Sequence, residues 1–375
     1  MTFKINQEDK LTVLLKVVSF CWIITKFLSY NVWISNRNFP IIPFFDDLLN
    51  VPNSIHLSLF FTASVLLFFI LIAPLKKITI IFFLSIEFFS CILDQMRCQA
   101  WEFFFFMCYL FYVISNDKRQ FLQRISWMLV ALYFFSGINK FNGGFLGAFW
   151  DQMVLRKIFS FSKDFISSNL WIHYAGILLS IIEMILGLGL LFLKNKKVVV
   201  LMILLMHILI IMILGLNDFY NIIVFPWNMA LMIIVYIVFY NNSENVLINS
   251  LTIKKMNLVI LVVLFVLPFM NMFGYWYHYF SFNLYSGNQN KITVCINNTK
   301  DYAFLKKYTA ISDSCKSKRQ ININKWTFDE LNVPINPDEI TFRKLKKAWD
   351  TKYPNIDVTF FSSHYPYKSH VLIME

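Results

Sequence analysis

The stretch Leu132-Tyr133-Phe134-Phe135-Ser136-Gly137-Ile138-Asn139-Lys140-Phe141 decides how this chain is read. It closes a long apolar run and finishes on a lysine. Ser136 and Gly137 are small enough to let a neighbouring backbone approach. Lys140 lies four residues beyond Ser136 and three beyond Gly137, so on a helix the three share a face. A cation on the small-residue face of a membrane helix is the start of a site. The bland alternative is a lysine snorkelling to the membrane surface beside an ordinary packing notch.

Outward from this stretch the pattern repeats. Of 375 residues, 58% are hydrophobic and 18% aromatic. Apolar runs of spanning length recur along the first three quarters of the chain, which excludes a soluble globular domain. The net charge of +12 comes largely from lysines between apolar runs, as topology determinants do, so nucleic acid is not an expected partner.

The expected architecture is an all-α polytopic membrane bundle of about nine transmembrane helices, with a small C-terminal α+β extracytoplasmic domain. The helices are expected at 11–33, 55–75, 78–93, 100–115, 121–140, 171–193, 198–216, 220–240 and 256–276. Lys16 and Lys26 interrupt the first and need an interior partner or a route to the interface. Pro226 should weaken the backbone ladder of the eighth. Residues 142–168, with Gly143, Gly144, Trp150 and several aromatics, read as an interfacial amphipathic piece.

Loop charges set the orientation. Lys4 and Lys10, Lys76 and Lys77, Lys118 and Arg119, Lys194 to Lys197, and Lys254 and Lys255 all fall on one side. That puts the N-terminus in the cytoplasm, and an odd number of spans puts the C-terminus outside. The division is 1–276 for the membrane part and 277–375 for the outer domain. In the latter, 291–296, 357–361 and 370–374 read as strands. Residues 337–349 read as a helix, opened by Pro337, Asp338 and Glu339, with Phe342, Leu345 and Trp349 spaced three and four apart. The six cysteines contain no CxxC, so no zinc ribbon, thioredoxin-type dithiol or other metal site is expected. Cys295 and Cys315 are either bridged in an oxidising compartment or free.

This topology gathers polar groups. Lys140, Asp94, Gln95, Arg97, Trp101, Glu102, His173, Asn217 and Asp218 fall at outer helix ends, with Trp227 and Asn228 just below. Glu87, Glu183 and His207 fall near mid-membrane, where charged groups face one another or a hydrated cavity. Glu183 is expected to meet His207, with Glu87 nearby. Asp94 and Arg97, three apart, could pair and cap a helix junction. Lys140 is expected to line a pocket below the turns holding Arg97 and Asn217. The candidate catalytic residues are Lys140 and His207; the candidate substrate-binding residues are Arg97, Trp101, Glu183, Asn217 and Asn228. Against these stand plainer roles: Trp101 and Trp227 as interface anchors, and His207 as an interhelical hydrogen-bonder.

The combined pattern resembles the HTTM family of membrane proteins, which includes the vitamin K-dependent γ-carboxylases. The residues that carry it are Tyr133 to Phe141, the polar turn Asp94-Gln95-Met96-Arg97-Cys98-Gln99-Ala100-Trp101, and His207 followed by Phe225-Pro226-Trp227-Asn228-Met229. It covers about 94–240. More distantly, the aromatic-Ser-Gly-x-x-Lys pattern is similar to DoxX/MauE-type quinone- or redox-associated membrane proteins. The resemblance implies Lys140 as an active-site base on the outer side, and His207 matches a family histidine by spacing. Desolvation moves a lysine towards neutrality, and a neutral amine can take a proton from a quinol. Two features depart from the carboxylases. Asn139 stands where they commonly carry a second lysine, and they have a much larger lumenal part. The resemblance therefore implies the membrane site rather than glutamate carboxylation.

Two function classes follow. One is a quinol-linked redox or carboxylase-like membrane enzyme with Lys140 as base. The other is a non-catalytic scaffold or assembly factor whose outer domain binds a partner. A pocket lined by Lys140 and His207 and open to lipid favours the first; a collapsed bundle with those groups paired off favours the second. No cofactor is evident, and quinone or quinol is the candidate. The expected partners are the lipid bilayer and a lipid-soluble small molecule, in a cell membrane read as a bacterial inner membrane; no protein partner is specified.

Overall fold

A computed structural model describes residues 7–218, 220–240, 255–298, 302–369 and 371–373. Lys4 and Lys254 of the basic loops, and His370 and Met374 of the expected last strand, lie outside the described residues. The described chain is mostly helical, with a small antiparallel sheet towards its C-terminus. Among the described residues five helices are long and apolar enough to cross a membrane: Lys10–Leu28, Asn53–Ile72, Lys118–Asn139, Leu170–Phe192 and Lys197–Leu216. Shorter apolar helices cover Ala100–Ile114, Val224–Tyr240 and Met256–Asn271.

In chain order the helices are α1 (Gln7–Leu28), α2 (Asn53–Ile72), α3 (Lys77–Leu93), α4 (Ala100–Ile114) and α5 (Lys118–Asn139). Then come α6 (Gly143–Phe145), running into a π-wound stretch Leu146–Arg156, α7 (Lys163–Ser168), α8 (Leu170–Ala175), α9 (Ile177–Phe192), α10 (Lys197–Leu216) and α11 (Val224–Val235). α12 (Lys255–Leu261) and α13 (Leu267–Asn271) flank a second π-wound stretch, Val262–Val266. The chain divides into two compact units.

The first unit comprises Met1–Thr25, Val65–Leu84 and Ala100–Gly287. Its central helix is α5, buried along almost its whole length. Asp117 starts it by accepting from Gln120 N–H at 2.8 Å, satisfying a donor that the helix cannot. α9 lies against α5 with backbones nearly touching. A Cβ on Gly137 would lie 2.5 Å from the backbone nitrogen of Met184, and one on Gly187 would lie 2.7 Å from that of Phe134. Ser180 seals the seam by donating to the Gly137 carbonyl at 2.6 Å.

Three helices depart from the even apolar runs of the sequence, each for a local reason. The run over 171–193 breaks at Gly176, where a Cβ would sit 2.5 Å from the Trp150 ring, whose Nε1 donates to Ile172 O at 2.8 Å. Pro226 does not weaken α11: the helix begins at Val224, so the missing N–H falls in the first turn, where no intrahelical bond is lost. Ahead of Pro268 the helix winds as a π-turn, because a proline removes one donor and its ring crowds the carbonyl four residues back.

The second unit comprises Lys26–Ser64, Ser85–Gln99 and Asn288–Glu375. Its sheet joins β1 (Lys291–Ile296), β2 (Thr309–Ser312), β3 (Lys318–Ile321), β4 (Val358–Ser363) and β5 (Val371–Leu372) in the order β2-β3-β1-β4-β5. All pairings are antiparallel, with Val294 opposite Phe360 and Ile321. α14 (Ile323–Leu331) and α15 (Glu339–Lys352) supply Trp326, Phe342, Leu345 and Trp349 to the core, all essentially buried. Cys295 and Cys315 are bridged, tying β1 to the turn between β2 and β3.

This unit also holds buried charge. Lys26 Nζ lies 2.5 Å from Glu87 Oε1 and against the Trp33 ring, so the interior partner that Lys26 needed is Glu87. Asp94 pairs with Arg37 at 2.6 Å, not with Arg97, and caps the following turn by accepting from Met96 N–H at 3.1 Å. Arg97 instead reaches His56 Nδ1 at 2.7 Å, Ser90 O at 2.8 Å and Val32 O at 3.1 Å. An Asp and an Arg three apart point from so tight a turn to different neighbours, and each finds a partner distant in sequence.

Candidate functional site

Tyr133, Ser136 and Lys140 lie one above another on α5, because residues three and four apart share a helix face. Lys140 caps the C-terminus of α5, one residue beyond Asn139, with φ −87° and ψ −7°. Its Nζ donates to Ser136 Oγ at 2.8 Å and to Glu183 Oε2 at 2.6 Å. The ion pair is largely sheltered, with side chains 12% and 8% exposed. Glu183 reaches Lys140 because the glycine seam brings α9 close enough for a carboxylate on one helix to meet an ammonium on the other.

One layer away, His207 on α10 is held at both ring nitrogens. Tyr133 Oη lies 2.8 Å from Nε2, and Asn228 Oδ1 of α11 lies 2.7 Å from Nδ1. His207 is thus not the partner of Glu183. The ring is already occupied on both sides, and the carboxylate takes the cation, the stronger charge-assisted donor. Glu87 does not join them; its partner is Lys26.

The two groups share a cavity of about 50 Å³, lined by Tyr133, Ser136, Lys140, Glu183, His207, Trp227 and Asn228 together with apolar residues. A water needs roughly 10–15 Å³ on the same scale, so there is room for a few waters or for the reacting end of a larger molecule. Phe282, Leu284 and Tyr285 contribute to its wall from the segment after α13. That segment is tied to the end of α5. Asn139 Nδ2 donates to Ser281 O at 3.3 Å and Asn142 Nδ2 to Ser286 O at 3.0 Å. Gly287, at φ +70°, passes so close to Gly144 that a Cβ on it would lie 2.1 Å from the Gly144 carbonyl carbon. Tyr285 Oη accepts from Asn221 Nδ2 at 2.7 Å, and burial pushes its phenol up, keeping it protonated.

Of the residues proposed from sequence, Lys140, Glu183, His207 and Asn228 line this cavity. Arg97, Trp101 and Asn217 are not among its lining residues. Arg97 belongs to the polar cluster of the second unit. Trp101 is buried in α4, and Asn217 donates to Met153 O and Ile213 O at 3.2 and 2.7 Å. Tyr133 escaped the sequence reading although it stands two turns before Lys140, on the face already singled out. Tyr285 and Phe282 carry no local signal at all. Among the described residues no cluster of three or more His, Cys, Asp or Glu is arranged to hold a metal ion. No protein-family model, curated protein or solved structure matches the chain.

Proposed function

We propose that this chain is an integral membrane enzyme whose cavity is an outward-facing intramembrane site, with Lys140 as the base that takes a proton from a lipid-soluble substrate such as a quinol. The reading has about nine spans, a cytoplasmic N-terminus and an extracytoplasmic C-terminal domain. Membrane insertion is supported by apolar faces left uncovered: Phe61, Val65 and Phe68 on α2, and Leu201, Leu205 and Met212 on α10, are 49–67% exposed, a surface suited to lipid. The resemblance of Tyr133 to Phe141 to the HTTM family supports the assignment of the base.

The observation that carries the enzymatic reading is the Lys140–Glu183 pair opening onto a cavity. Nζ becomes a base by passing a proton to Glu183 Oε2, which leaves a neutral amine facing the substrate. A scaffold reading is favoured by one different observation, the Ser180 bond across the α5–α9 seam, which makes the polar residues interhelical clamps. Two measurements separate the readings. Mass spectrometry of the protein released from native nanodiscs is expected to find a co-purifying quinone. In a growth complementation assay Lys140→Arg is expected to fail despite normal expression, because arginine keeps its proton. A fully functional Lys140→Arg leaves the scaffold.

A further inference from the structure

Asn228 fixes the proton arrangement around His207. Its Nδ2 donates to Val224 O at 2.7 Å, so its Oδ1, 2.7 Å from His207 Nδ1, is the accepting end. His207 therefore carries its proton on Nδ1, and Nε2 keeps a lone pair. Tyr133 Oη, 2.8 Å away, donates to that lone pair. With its proton committed to the imidazole, Tyr133 presents only lone pairs to the cavity that it lines. Among the described residues no hydrogen bond joins this chain to Lys140 and Glu183. The cavity wall thus carries two separate polar pairs, Lys140 with Glu183 and Tyr133 with His207.

We propose that Tyr133 is a second proton acceptor in this cavity, with His207 as its sink. The proposal rests on the reading of the cavity as a site of proton abstraction. The step is a proton transfer without redox change. The X–H proton of the ligand passes to Tyr133 Oη as Tyr133's own proton passes to His207 Nε2. X keeps the bonding electron pair, the tyrosine is regenerated, and the new imidazolium stays anchored through Nδ1–H to Asn228. A ligand that must lose two protons would give one to Lys140 and the other to Tyr133. Tyr133 would then be a catalytic residue, and Asn228 a positioning residue that holds the tautomer.

The test uses the full-length protein in nanodiscs, with a short-chain naphthohydroquinone as the probe. In ¹⁵N-histidine NMR, His207 should show a protonated Nδ1 and a bare Nε2, and the Nε2 resonance should move in Tyr133→Phe. With a one-electron acceptor added to take the probe's two electrons, its oxidation above the uncatalysed background should be about a hundredfold slower in Tyr133→Phe, the scale of one general acid–base group, with KM unchanged. An Nε2–H tautomer overturns the relay. So does a Tyr133→Phe variant at full rate while a normally folded Lys140→Arg is inactive, and that result leaves the Lys140 base standing. Conversely, a Lys140→Arg variant at full rate beside a crippled Tyr133→Phe supports the relay and removes the Lys140 base. A wild type inert to the probe overturns the enzymatic reading and the relay with it.

Discussion

Lys140 and Glu183 carry opposite charges where neither is stable alone. Removing one partner of a sheltered pair strands the other, at a cost of about 3–5 kcal/mol, whereas replacing both by apolar groups is often close to neutral. Lys140→Met and Glu183→Leu should therefore each lower the unfolding free energy by several kcal/mol, and the double variant should recover most of it. Chemical denaturation of the four proteins, read as a double-mutant cycle, checks this. Losses that simply add would mean that the 2.6 Å contact is not an energetic unit. The same pair shows what a residue-level reading reaches. Lys140 declared itself by its place after Ser136 and Gly137, but its partner lies 43 residues away and did not.

At the scale of elements, the α5–α9 seam is what brings that pair together. Gly137 and Gly187 each face backbone of the other helix, so an added methyl has no flexible side chain to displace. Gly137→Ala should force the helices apart, costing about 1–3 kcal/mol as overpacking does and lengthening the Lys140–Glu183 contact. Gly215, with nothing near its Cβ position, should accept alanine without that penalty. Thermal melting of the two variants side by side distinguishes a seam from a general glycine effect. In the second unit, Asp46 accepts from Lys347 at 2.6 Å and Lys344 at 3.0 Å, and these bonds, Lys347 foremost, hold its carboxyl below the usual range. A lowered value means that the contact helps above the ordinary aspartate value of about 3.9 and is lost as pH falls through the lower folded value. The protection of α15 amides relative to their intrinsic exchange should accordingly fall in acid, and Asp46→Asn should abolish that fall.

For the whole molecule the consequential expectation is topology. If the chain has the nine spans proposed for it, a periplasmic reporter fused after Glu375 is active and a cytoplasmic one is not. The opposite result would put the cavity's lysine on the wrong side for the proposed chemistry. On the proposed topology the C-terminal domain faces an oxidising compartment, the setting in which a structural disulfide such as Cys295–Cys315 persists.

The helices were legible because their signals are local: apolar runs with basic residues at their ends. The positions of α2, α3, α4, α5 and α10 follow the sequence to within a few residues. The face of α15 that buries Phe342, Leu345 and Trp349 was likewise written in its spacing. By contrast, β2, β3 and α14 went unread, since their short polar strands become sheet only by pairing beside β1. So did the choice of partners: Glu183 for Lys140, Tyr133 and Asn228 for His207, Arg37 for Asp94. Helical periodicity says which side chains share a face. Which face meets which is set by the crossing of helices at small residues, where a backbone approach of a few ångströms decides whether a carboxylate reaches an ammonium or an imidazole.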